Sequence, residues 1–138
     1  MIRPTRESAA VKPGDAVPGF SKTFGAADLV AYGAATWDWH RLHFDQDYAR
    51  SVKLPNVILD GQAYGALFAR QAMHWGGPRA FISKLGFRMR AMTFAGDTLS
   101  AEGEVTEVRG AVVVLAQRLK LGDGRLAADC TTELRLPR

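Results

Sequence analysis

The chain has 138 residues, room for one domain that can hide roughly 68–70% of its unfolded surface. Its 47% hydrophobic and 23% charged fractions exclude disorder, collagen and a bare coiled coil, and no uncharged run is long enough for a membrane span. Eighteen basic against fourteen acidic residues give +4. The arginines are spread rather than blocked and nowhere interleaved with aromatics, so no nucleic-acid partner is expected; a phosphate-bearing small molecule suits the mild positive balance equally well.

Residues 1–19 carry Pro4, Pro13, Gly14, Pro18 and Gly19 and read as a polar arm with at most one short edge strand. The arm lacks an apolar secretory core and contains Glu7 and Asp15, so a cytoplasmic protein is expected. From Gly25 to Thr36 the apolar positions Leu29, Val30 and Gly33, followed by Trp37, recur at three and four, which predicts a helix of about three turns. Residues 38–60 show no sustained periodicity and read as a long loop with one short turn around Gln46–Arg50; loops of that length are usually functional. Gly61 opens the strongest helix, with Tyr64, Leu67, Phe68, Gln71, Ala72 and Trp75 on one stripe and small residues opposite. Such a helix is expected to be buried nearly all round, and Gly76, Gly77 and Pro78 end it.

Everything beyond Pro78 reads as strands. Lys84–Arg90, Leu99–Val105, Val113–Leu121 and Leu126–Leu136 alternate with period two, and Gly122-Asp123-Gly124 gives a tight reversal. A buried helix followed by an antiparallel meander is an α+β domain, expected to occupy residues 1–138 as a single unit with its sheet wrapped around the helix. Sheet edges and the loop would then stay open, so a dimer is the smallest expected unit. Cys130, the only cysteine, reads as a small core residue and permits no intrachain disulfide. His74, near the end of the long helix, reads as structural.

Chemistry concentrates in Asp38-Trp39-His40-Arg41-Leu42-His43-Phe44-Asp45, which holds two of the three histidines. An Asp and a His five apart in a non-helical loop can converge on one water, one as base and the other as acid. Gly61, at the start of the buried helix, offers a free N–H and close approach to a developing oxyanion. These parts suit addition or elimination of water beside a carbonyl or thioester, and equally some hydrolyses. Two other readings stand beside this one: a hydrogen-bonded brace, and a metal site built from Asp38, His40, His43 and Asp45. The expectation is no metal, since His-x-x-His in a loop lacks the helical geometry that pins two imidazoles. Trp37 and Trp39 flank Asp38 and either dry the site, raising its carboxyl pKa, or serve as core packing. Lys84, Arg88 and Arg90 share a strand face that either meets phosphates or is simply solvated.

Tyr32-Gly33-Ala34-Ala35-Thr36-Trp37-Asp38, then His43 and Ala49, resembles the signature of the MaoC-like (R)-specific enoyl-CoA hydratases and 3-hydroxyacyl-thioester dehydratases. Val57-Ile58-Leu59-Asp60-Gly61, Leu67-Phe68 and Gly96-Asp97-Thr98-Leu99 are similar to further family features, and the likeness runs over about residues 14–109. It departs from the pattern where His40-Arg41 replaces Asn-Pro and Asp60 replaces His; the His-Arg-Leu-His-Phe-Asp form is similar to that of mitochondrial-type dehydratases. The resemblance implies the hot-dog fold, a long helix wrapped by a curved antiparallel sheet, in homodimers or higher even oligomers. It implies reversible hydration of trans-2-enoyl thioesters, with Asp38 and His43 as the catalytic pair and the Gly61 amide as oxyanion donor. His40, Trp39, Asp60, Gln62, Lys84 and Arg88 are the expected substrate-binding residues. The acyl group arrives on coenzyme A or a carrier, and no separate cofactor is implied. A fainter similarity through Asn56–Gly61 and Trp75-Gly76-Gly77-Pro78 to small hydratase subunits of steroid side-chain degradation allows a heteromer with a second hot-dog chain. The alternatives are a hot-dog thioesterase, distinguished by free thiol among its products, and a non-catalytic partner subunit, which would be expected to have lost its Asp or His.

Overall fold

The computed structural model describes residues 4–138. Gly25 begins the first helix, α1 (Ala26–Thr36): the Asp28 carboxylate reaches back to the Gly25 N–H at 2.9 Å and pairs with Lys22 at 3.1 Å. Next come a 3₁₀ turn, Arg41–His43, and the short helix α2 (Gln46–Ser51), capped by the Asp45 carboxylate accepting from the Tyr48 N–H at 2.9 Å. Outside these two short elements residues 38–60 form no helix or strand, so the loop reading holds, and α2 falls on the turn read at Gln46–Arg50.

The long helix α3 (Gln62–Gly76) lies across a sheet of β1 (Ser21–Thr23), β2 (Phe81–Met89), β3 (Thr98–Arg109), β4 (Val112–Leu121) and β5 (Leu126–Arg135). Every pairing is antiparallel, in the order β1-β3-β4-β5-β2. This is the hot-dog arrangement, with one correction to the expected meander. Strand β2 pairs with β5, the last strand, rather than with β3. Leu85 and Phe87 must pack beside α3, from which β2 has just emerged, so the chain crosses the sheet through residues 90–97 before β3 begins. The short edge strand β1 lies just beyond the arm, which itself adds a 3₁₀ turn, Ser8–Ala10, and a bridge from Ala16 to Glu104.

Two apolar clusters grip the two halves of α3. Ala63, Tyr64, Leu67 and Phe68 pack with Leu99, Leu119 and Ala128; Ala72 and Trp75 pack with Leu115, Leu134 and the arm residues Val11 and Val17. Each large buried side chain there contributes about 1.5–3 kcal/mol of transfer free energy. The arm is thus part of the core. The helix is not buried all round, however: Gln62, Ala66, Arg70 and Met73 form an exposed stripe at spacings of four, four and three. Small side chains on that side signalled burial, but the sheet covers only one flank. Cys130 is buried in β5 as expected.

Candidate active site

Helix α1 ends by folding back on itself. Trp37 takes a left-handed conformation (φ 58°), and the Asp38 N–H donates to the Gly33 carbonyl at 2.9 Å. A Cβ on residue 33 would stand 2.8 Å from the Asp38 carbonyl oxygen, so glycine is required for this reversal. Asp38 leaves the turn with its Oδ1 accepting from the His40 N–H at 3.1 Å. That bond is the main reason its pKa lies below the ordinary carboxylate value; partial burial pushes the other way, and the Asp60, His43 and His40 side chains add to the lowering. Neither reading of the flanking tryptophans holds: the carboxyl is lowered rather than raised, and both rings are exposed rather than in the core. Trp37 is 80% exposed and packs edge-on with Trp39, which packs in turn on Phe44.

His43 sits at the end of the 3₁₀ turn with its Nδ1 2.8 Å from the Ile58 carbonyl oxygen. A ring that donates from Nδ1 to a carbonyl presents a lone pair at Nε2. That Nε2 lies 3.7 Å from Asp38 Oδ2, beyond a direct hydrogen bond but within the span that one water can bridge. The third member is Asp60, whose carboxylate lies close enough that ligand atoms of Asp38, His43 and Asp60 all fall within 4.8 Å of one another. Asp60 is 8% exposed; its Oδ1 accepts from the Gln62 N–H at 2.9 Å, and its buried Oδ2 has no partner among the described residues. Tyr32, on α1, has its pKa raised by burial and by the Asp60 charge.

Beside this cluster opens a cavity of about 420 Å³, lined by His43, Ile58, Leu59, Gly61, Tyr64 and Met89 among others. Gly61 is the N-cap of α3, and its N–H has no partner among the described residues. A Cβ there would push aside the Met89 thioether, which covers the glycine from β2. The cavity floor is held by Tyr64, whose hydroxyl donates to the Ala91 carbonyl at 2.8 Å and lies 2.7 Å from the Thr93 hydroxyl. An Asp–His pair, an N–H at a helix N-terminus without a partner among the described residues, and an apolar slot thus meet at one place.

A family model described as a MaoC like domain matches residues 8–118. The chain belongs to that family. It is 30% identical over 122 residues to the (R)-specific enoyl-CoA hydratase of Aeromonas caviae, covering 85% of this chain and 90% of that protein. It is also 30% identical over 97 residues to the 3-oxo-4,17-pregnadiene-20-carboxyl-CoA hydratase beta subunit of Mycobacterium tuberculosis, covering 69% and 75%. Among solved structures, a chain of the ChsH1-ChsH2 complex from the same bacterium superposes with a TM-score of 0.86 at 25% identity, covering 91% of this chain and 98% of that one.

In this MaoC-like chain the other residues singled out from sequence fall in three places. His40 is exposed and caps the 3₁₀ turn, its Nδ1 accepting from the Leu42 N–H at 3.2 Å. Asp45 is occupied by α2 and by Arg41 at 2.7 Å. The cation-ligand set considered from sequence therefore does not assemble; Asp60 takes the place of His40 and Asp45. Gln62 is an exposed first-turn residue of α3, and Lys84 and Arg88 lie on the exposed face of β2, outside the cavity. Arg90 lines the cavity and pairs with Asp129 at 2.6 Å. Ile58 escaped sequence reasoning because it acts through its backbone carbonyl, which leaves no mark in the sequence. Tyr64 and Met89 could be read only as apolar positions of a helix and a strand.

Proposed function

We propose that this protein reversibly adds water to trans-2-enoyl thioesters. The observation that carries the reading is the His43 Nε2 facing Asp38 at 3.7 Å beside the Gly61 N–H, which has no partner among the described residues. In the forward direction a water held by the pair gives a proton to His43 Nε2 as its oxygen bonds to C3. The C2=C3 electron pair moves toward the thioester oxygen, where the Gly61 N–H and the positive end of α3 stabilise the charge. The enolate then takes a proton at C2 from the pair, which ends with the protons it began with. The thioester activates its own alkene, so the reading requires no resident metal or redox cofactor.

The acyl chain occupies the apolar cavity, and coenzyme A or a carrier supplies the thiol. Assembly follows from the sheet: β2 pairs with β5 on one side only, and an open nine-residue strand edge is a surface that proteins cover. A second copy, or a different hot-dog chain as in the complex that this fold resembles, is the proposed occupant. The test is to mix the EDTA-treated protein with crotonyl-CoA and a longer enoyl-CoA. The 3-hydroxyacyl-CoA should form without free thiol; thiol release instead would mark hydrolysis, and no reaction except after adding a second hot-dog chain would mark a partner subunit.

A further inference from the structure

The Asp38–His43–Asp60 cluster has a property that water activation does not use. Asp60 brings a second carboxylate into a site that already has one. Its Oδ2 is buried and unpartnered among the described residues, and a buried polar atom without a partner calls for an explanation. Among the described residues no cationic side chain supplies it, since Arg41 is held by Asp45 and Arg90 by Asp129, and the group that meets the Asp60 carboxyl is that of Asp38.

We infer that Asp38, His43 and Asp60 form a binding site for a divalent transition-metal cation, zinc by preference, which displaces the water and blocks turnover. This rests on the hydratase reading only for its inhibitory consequence; binding itself does not. Two carboxylates and a neutral imidazole offer an O, O, N set whose charge balances a dication, and that set suits zinc better than magnesium. At zinc–ligand distances of about 2.0–2.2 Å, ligand atoms around a tetrahedral ion stand about 3.3–3.6 Å apart. The 3.7 Å between His43 Nε2 and Asp38 Oδ2 is already close to this, and the whole set lies within 4.8 Å. The Ile58 carbonyl on His43 Nδ1 and the Gln62 N–H on Asp60 Oδ1 orient both ligands, the outer support that metal sites use. Of the three ligands, His43 also lines the cavity, so a bound ion would border it.

The test is calorimetric titration of zinc chloride into the full chain, stripped with EDTA and exchanged into a non-coordinating buffer. One saturable site per chain is expected, with no matching heat from magnesium chloride. Asp60→Asn and His43→Ala should each weaken zinc by more than the roughly 10–100-fold that loss of an outer partner costs. His74→Gln, toward the far end of α3, should leave the affinity unchanged. On the wild-type chain alone, zinc should shift the His43 Nε2 resonance in a nitrogen-15 spectrum, which covers the case of a variant that fails to fold. Absence of saturable binding, binding that survives both site substitutions, or binding lost with His74→Gln would overturn the site. Because the titration uses no substrate, a chain that binds zinc but hydrates nothing sinks only the hydratase reading. A chain that hydrates and ignores zinc sinks only the cation site.

Discussion

Two polar groupings flank α3, and they are built to opposite rules. Midway along the helix, Gln117 Nε2 donates to Gln71 Oε1 at 2.9 Å and to the Phe68 carbonyl at 3.0 Å, while the Thr132 hydroxyl donates to Gln117 Oε1 at 2.6 Å. Gln71 Nε2 completes the seam by reaching the Val17 carbonyl of the arm at 3.3 Å. The donors and acceptors meet, and the seam ties helix, sheet and arm together. At the N-terminal end of the same helix, His43 and Asp38 stand too far apart to bond, and among the described residues Asp60 Oδ2 and the Gly61 N–H have no partner. Satisfied groups contribute stability; groups left unsatisfied at a cavity are available to a ligand.

If that contrast is right, substitutions at the two places fail differently. The largest effect belongs to Asp38→Asn and His43→Ala, which should each cut hydratase turnover by about 10²–10⁴ while the melting temperature stays within a few degrees of wild type. Near-normal turnover in either variant breaks the assignment. Next is Gln117→Leu, which strands the Gln71 carbonyl oxygen and the Thr132 hydroxyl. A loss of about 2–4 kcal/mol in denaturant unfolding is expected, with turnover per folded molecule unchanged at low temperature.

His40→Asn should be tolerated within about tenfold in kcat/KM, or roughly 1.4 kcal/mol, because an asparagine oxygen can take over the cap on the Leu42 N–H. Smallest is Asp45→Ala, read by melting temperature against pH. The Tyr48 N–H first, and then Arg41, hold the Asp45 pKa below its ordinary value. Its contribution is therefore present above the unfolded-state pKa and fades as pH falls through the folded one. The variant should melt a few degrees below wild type at neutral pH, with the gap closing in strong acid; a gap that widens there contradicts the ion-pair origin.

Much of this was legible in the sequence, and what was not has physical causes. Period-two alternation marks a strand and the direction its side chains face, but not its neighbour, so the pairing of β2 with β5 leaves no trace in the pattern and depends on Leu85 and Phe87 packing beside α3. Small residues at Ala66 and Ala69 looked like burial, although only one flank of α3 meets the sheet. Spacing brought Asp38 and His43 together because the chain between them is short. His40 and Asp45 share that segment, yet local backbone bonds turn both to capping, a competition that residue type alone does not decide. Asp60 was visible as an acidic residue beside Gly61; its approach to the pair depends on where α3 docks, a tertiary fact.

The central claim is that the pair directs water to C3 of an enoyl thioester, and isotope placement tests it most directly. The protein is incubated with crotonyl-CoA and EDTA in oxygen-18 water, and the products are weighed by mass spectrometry beside an Asp38→Asn control. The account predicts one heavy oxygen in the 3-hydroxyl of an intact thioester, nearly absent with the variant. Heavy oxygen in the carboxylate of a released acid, or equal labelling by the variant, would contradict it.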